Sequence, residues 1–113
     1  VFPGVNSKVW LDWTQRDAVH QPKKQGVGHA QQLENAPDEL NQMLYSFSSY
    51  PFLRFLEELT GINKLLPDPY FFGGGIHQIL HGGKLAVHTD FNHLEELDLY
   101  CRINALLLLN KNW

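Results

Sequence analysis

The chain has 113 residues, of which 43% are hydrophobic and 12% aromatic, and its nine basic and twelve acidic residues leave a net charge of −3. That is apolar material for one core in a length too short for two, and the basic residues are scattered rather than gathered into the positive face that nucleic-acid binding needs. The single Cys101 excludes an internal disulfide and a C-x-x-C centre, which with no charged-then-apolar opening segment makes the cytoplasm the expected compartment. The longest apolar run, Ala105 to Leu109, is far short of the roughly 20 residues that span a bilayer, so no membrane partner is expected.

From Val1 to Gln32 the pattern is weak. Val9-Trp10-Leu11-Asp12-Trp13 reads as a short strand whose tryptophans fill a core, and Gln21 to Gly28 reads as loop. Neither carries a functional assignment. Pro37 then opens a helix, with Asp38 and Glu39 at its positive end and Leu40, Met43, Leu44 and Phe47 at i, i+3, i+4 and i+7. Ser49 and Pro51 start a second helix in which Phe52, Phe55, Leu56 and Leu59 repeat that spacing until Gly61 ends it. Both stripes are expected to pack on a sheet.

Pro67 and Pro69 bar further helix and hand over to extended chain at Tyr70 to Phe72. The glycine run Gly73 to Gly75 precedes a strand, Ile76 to Leu80, and implies a bend or a close backbone approach. No helical pattern follows it, which disfavours a phosphate-binding loop. Gly82-Gly83 reads as a turn into a strand, Lys84 to Asp90, with Leu85, Val87 and Thr89 on one face and Lys84, Ala86, His88 and Asp90 on the other. His88 and Asp90 would then lie roughly 6.5–7 Å apart along the strand and converge on one ion. The next segment, Phe91 to Tyr100, reads as a loop with Glu95, Glu96 and Asp98 in solvent. Arg102 to Asn110 reads as a strand covered on both faces, with Leu107 and Leu109 buried and Arg102, Asn104, Leu106 and Leu108 sharing one side.

On residues alone, an H-x-D pair is a weak signal. His93, three residues past Asp90, leaves open a compact zinc site of His88, Asp90 and His93. His77 and His81 read as surface or supporting residues, and His20 and His29 receive no role.

Taken in order, Gly73-Gly74-Gly75-Ile76-His77-Gln78, then His88-Thr89-Asp90-Phe91-Asn92, then Arg102-Ile103-Asn104 through Leu109-Asn110-Lys111-Asn112-Trp113, resemble the iron(II)- and 2-oxoglutarate-dependent oxygenase superfamily, in its prolyl-hydroxylase-like branch. The resemblance covers the chain from about Pro67 onward. It implies an α+β fold with two helices on a double-stranded β-helix, or jelly roll, of which this chain holds the first half. Residues 1–66 would be the N-terminal segment with its two helices, and 67–113 the first jelly-roll strands. It implies that iron(II) is held by His88 and Asp90, and that Gln78 and Asn104 touch 2-oxoglutarate. No catalytic residue beyond the metal ligands is implied. The second metal histidine and the basic residue that grips the far carboxylate of the cosubstrate come later in such proteins, beyond Trp113. Where many relatives have a tyrosine before the Leu-Asn pair, this chain has Leu107 and Leu108.

The chain opens on Val1 and stops three residues after an apolar strand, so a truncated single domain is expected. The implied whole protein is a dioxygenase that uses dioxygen, with ascorbate as an optional reductant, to hydroxylate a protein side chain, an amino acid or a small metabolite, releasing succinate and carbon dioxide. These 113 residues alone are expected to be inactive. The competing class is a non-catalytic jelly-roll module for binding or assembly.

Overall fold

The computed structural model describes residues 8, 11–12, 19–28, 33–34, 36–72 and 74–111. Val9, Trp10, Trp13 and His29 lie outside them. Two sheets and two helices are described: an antiparallel three-stranded sheet in the order β1-β2-β3 (Leu11–Asp12, Lys24–Gly28, Gly75–Ile79) and a hairpin of β4 (His93–Leu94) and β5 (Leu99–Tyr100). Helix α1 spans Asp38–Phe47 and α2 spans Tyr50–Thr60.

Both helices begin and end where local chemistry places them. Pro37 precedes α1 and its carbonyl accepts from Leu40 and Asn41, while Asp38 and Glu39 occupy the first turn. Pro51 stands in the first turn of α2, and Gly61 closes it at φ 73° with its N–H on the Glu57 carbonyl. The two helices differ in what they bury. Leu40 and Leu44 of α1 are 3% and 4% exposed and join Val27, Leu33, Ala36, Phe71 and Ile76 in one core, with Met43 against it. On α2 only Glu57 is buried, and Phe55 and Leu59 face solvent. The expectation that both stripes pack on the sheet therefore holds for α1 alone. Spacing fixes which side chains share a face, but not whether another element covers that face.

The segment read as loop at Gln21 to Gly28 contains the middle strand of the sheet. Its two glycines hid it, because they lower strand propensity while permitting the close pairing seen here. A Cβ on Gly75, which sits at φ 147°, would meet the Val27 carbonyl at 2.6 Å, so the glycine run makes the close backbone approach its sequence implied. A turn at Gly82, φ 75°, follows β3, with Gly83 N–H on the Leu80 carbonyl.

Lys84 to Asp90 does not form the expected strand. It runs beside the chain before β2, and Lys84 and Ala86 donate to the carbonyls of Pro22 and His20 at 3.3 and 2.8 Å. Those alternating bonds stop there. Leu85 and Val87 are exposed, because no layer covers the face that alternation assigns to them among the described residues. The expected loop at Phe91 to Tyr100 is in fact the β4–β5 hairpin, closed by a 3-10 turn at Glu95–Leu97 and by Asp98 at φ 50°. Glu95, Glu96 and Asp98 are exposed as expected.

Arg102 to Asn110 is likewise extended without strand pairing among the described residues, and Leu106, Leu107, Leu108 and Leu109 are all exposed. The expected burial of Leu107 and Leu109 is not observed. A strand with two apolar faces needs a neighbour at each edge and a layer on each side, and among the described residues no strand pairs with this segment and no layer covers its leucines. No helix among the described residues is long and apolar enough to cross a membrane.

Candidate metal centre

The turn at Gly82 and the two backbone bonds to Pro22 and His20 anchor the chain just before His88. His88 Nδ1 lies 2.8 Å from the carbonyl of Ala86. A carbonyl only accepts, so Nδ1 carries the hydrogen of this bond and the neutral ring presents its lone pair at Nε2. That nitrogen is 3.3 Å from Asp90 Oδ1, with the two side chains 48% and 59% exposed. Adjacent ligands of an octahedral ion with bonds of about 2.1 Å are separated by about 3.0 Å, so the two atoms stand close to the spacing that one divalent cation requires. A proton can occupy the same place, making His88 the donor in an ion pair.

The second carboxylate oxygen is held separately. Asn104 Nδ2 donates to Asp90 Oδ2 at 2.9 Å, across fourteen residues of sequence. The hairpin makes that contact possible, since the N–H of Cys101 bonds the Asn92 carbonyl at 2.9 Å and folds the 102–110 segment back on Asp90. Thus His88, Asp90 and Asn104 come together as one cluster.

Gln78 does not join it. Its amide donates to Gln25 Oε1 at 2.6 Å, and the register pairs Gln25 with Gln78 and Val27 with Ile76. By alternation these four share the face of the sheet that carries the core with α1. The other face carries Lys24, His77 and Ile79. Lys24 is buried and donates to Gln21 Oε1 at 2.8 Å. Desolvation pushes its pKa below the usual lysine range, against an opposing pull from the Asp90 carboxylate. His77 is lowered by desolvation first and by the Lys24 ammonium second. Lys24 is the charged neighbour of Asp90 that sequence reasoning missed. Of the adjacent pair, Lys23 is exposed and reaches the His81 carbonyl while Lys24 turns inward, and only the register of β2 distinguishes them.

His93 has other contacts. It stacks on Tyr100 at 4.4 Å and places Nε2 3.0 Å from Asp98 Oδ1, inside the hairpin. No group of three or more His, Cys, Asp or Glu positioned for a metal occurs among the described residues, so the structure does not bring His93 into a triad with His88 and Asp90. An open groove of about 210 Å³ lies beside His88, lined by His20, Gln21, Leu85, Ala86 and Val87.

No protein-family model, curated protein or solved structure matches the chain. The donor set itself is the remaining test of fit for a metal. One imidazole nitrogen and one carboxylate oxygen, both exposed and each oriented by a hydrogen bond behind it, suit two of the three places of a 2-His-1-carboxylate site.

Proposed function

We propose that this chain is part of an iron(II)- and 2-oxoglutarate-dependent dioxygenase, cytoplasmic and of jelly-roll type, in which His88 and Asp90 hold the metal. The observation that carries the reading is the 3.3 Å approach of His88 Nε2 to Asp90 Oδ1, each side chain fixed from behind. When bound, iron(II) with 2-oxoglutarate and dioxygen would supply the oxidising chemistry that hydroxylates a C–H bond and releases succinate and carbon dioxide.

The chain's own contribution is orientation. Ala86 fixes the ring and tautomer of His88, and Asn104 fixes the rotation of the Asp90 carboxylate. Exposure of both ligands leaves room for a cosubstrate on the same ion. The Asp90 carboxylate acts by charge on Lys24, a buried basic group of the neighbouring strand. By the resemblance, the third ligand would come after Trp113.

Titration of the manganese(II)-loaded protein with 2-oxoglutarate tests the reading. Binding that needs the metal and disappears in His88→Ala supports it, whereas binding equal with and without metal, or unchanged manganese(II) affinity in His88→Ala, overturns it.

A further inference from the structure

We infer that Asn104 is a positioning residue for the metal ligand Asp90, holding its carboxylate in a one-oxygen mode of binding, and does not itself contact 2-oxoglutarate. The inference rests on the metal reading above and assigns Asn104 a different task from the one its sequence context implies.

A free carboxylate rotates about its Cβ–Cγ bond and can offer a cation one oxygen or both. In this protein the two oxygens are distinguished. Oδ1 faces His88 Nε2 at 3.3 Å, while Oδ2 accepts from the Asn104 amide at 2.9 Å. An N–H on Oδ2 occupies a lone pair that two-oxygen binding would use and stops the group from turning. The consequence is an open position, because a carboxylate that binds through both oxygens takes a site that a cosubstrate or dioxygen needs. His88 is treated in parallel, with Nδ1 on Ala86 O. Asparagine suits this task since its amide donates at any pH and adds no charge next to the ligand. Its own Oδ1 remains to accept a hydrogen bond from solvent or substrate. The contact also ties the 102–110 segment to the metal-binding loop, so a movement of that segment would be felt at Asp90.

Cobalt(II) titration of the whole 113-residue chain, followed by visible absorption, reads both affinity and coordination number. Asn104→Ala and the near-isosteric Asn104→Leu, which lacks the donor and adds no charge, are expected to weaken cobalt(II) binding about 10-fold or more and to alter the absorption intensity as Asp90 binds through both oxygens. Asn104 is exposed, and matching thermal melts would confirm that the variants fold. Affinity of the metal-loaded chain for 2-oxoglutarate should fall only as far as metal occupancy falls. Unchanged cobalt(II) affinity and spectrum in both variants, with loss of 2-oxoglutarate affinity at full metal occupancy, would overturn the inference in favour of direct cosubstrate contact. Unchanged cobalt(II) affinity in His88→Ala and Asp90→Ala would instead remove the metal reading itself.

Discussion

Glu57, 6% exposed on α2, accepts the backbone N–H of Leu65 at 2.8 Å through Oε1 while Oε2 faces the Arg54 guanidinium. One carboxylate thus ties the end of the helix to the chain that leaves it. Glu57→Ala strands the Leu65 N–H, while half-exposed Arg54 keeps Glu58 and water, and should cost about 1–3 kcal/mol, whereas Glu57→Gln keeps the acceptor for Leu65 and should cost less. Urea unfolding of the two variants checks the order, and an equal loss in both would show that the charge alone matters.

The unequal burial of the two apolar stretches gives a second expectation. Leu44 sits in the core and Leu107 in solvent. Leu44→Ala should destabilise the chain by about 2–5 kcal/mol, while Leu107→Ala should stay within about 0.5 kcal/mol. A loss above about 2 kcal/mol at Leu107 would place that segment in a packed sheet.

The lowered pKa of His77 should make stability depend on pH. Its folded pKa is lowered, so between that value and the ordinary value near 6.5 the unfolded chain binds more protons and stability rises with pH. The contribution is unfavourable below the folded value and vanishes above about 6.5. Parent stability should therefore fall more steeply than that of His77→Gln as pH is lowered from about 7.5 to 5.5. Lys24 and Asp90 are the charged groups linked to this site, and both stay in place in the variant. Parallel curves for the two proteins would contradict the assignment.

Legibility in the sequence followed the range of the interaction. Both helices could be read because Pro37, Pro51 and Gly61 act within one turn of themselves. The closeness of His88 and Asp90 could be read because a single residue separates them, although the strand geometry expected for them does not form. Strand β2 could not, since its glycines signal loop until β3 is known to lie against it. The Asn104–Asp90 bond depends on a hairpin that the acidic composition of residues 95–98 concealed. Lys84 to Asp90 and Arg102 to Asn110 carry strand patterns, but a pattern becomes a strand only when a partner supplies the other half of each hydrogen bond.

Gly75→Ala tests the close approach between β2 and β3. At φ 147° with the Val27 carbonyl 2.6 Å from the added carbon, the substitution should cost more than about 1 kcal/mol. A neutral thermal melt would show that the strands can separate there freely.

The metal binding proposed for the His88–Asp90 pair is tested most directly by anaerobic iron(II) titration of the parent chain, His88→Ala and Asp90→Ala. The parent should bind weakly and each variant at least about 10-fold more weakly still, because either substitution removes one of two converging ligands. Parent affinity retained in both variants would contradict the metal centre described above.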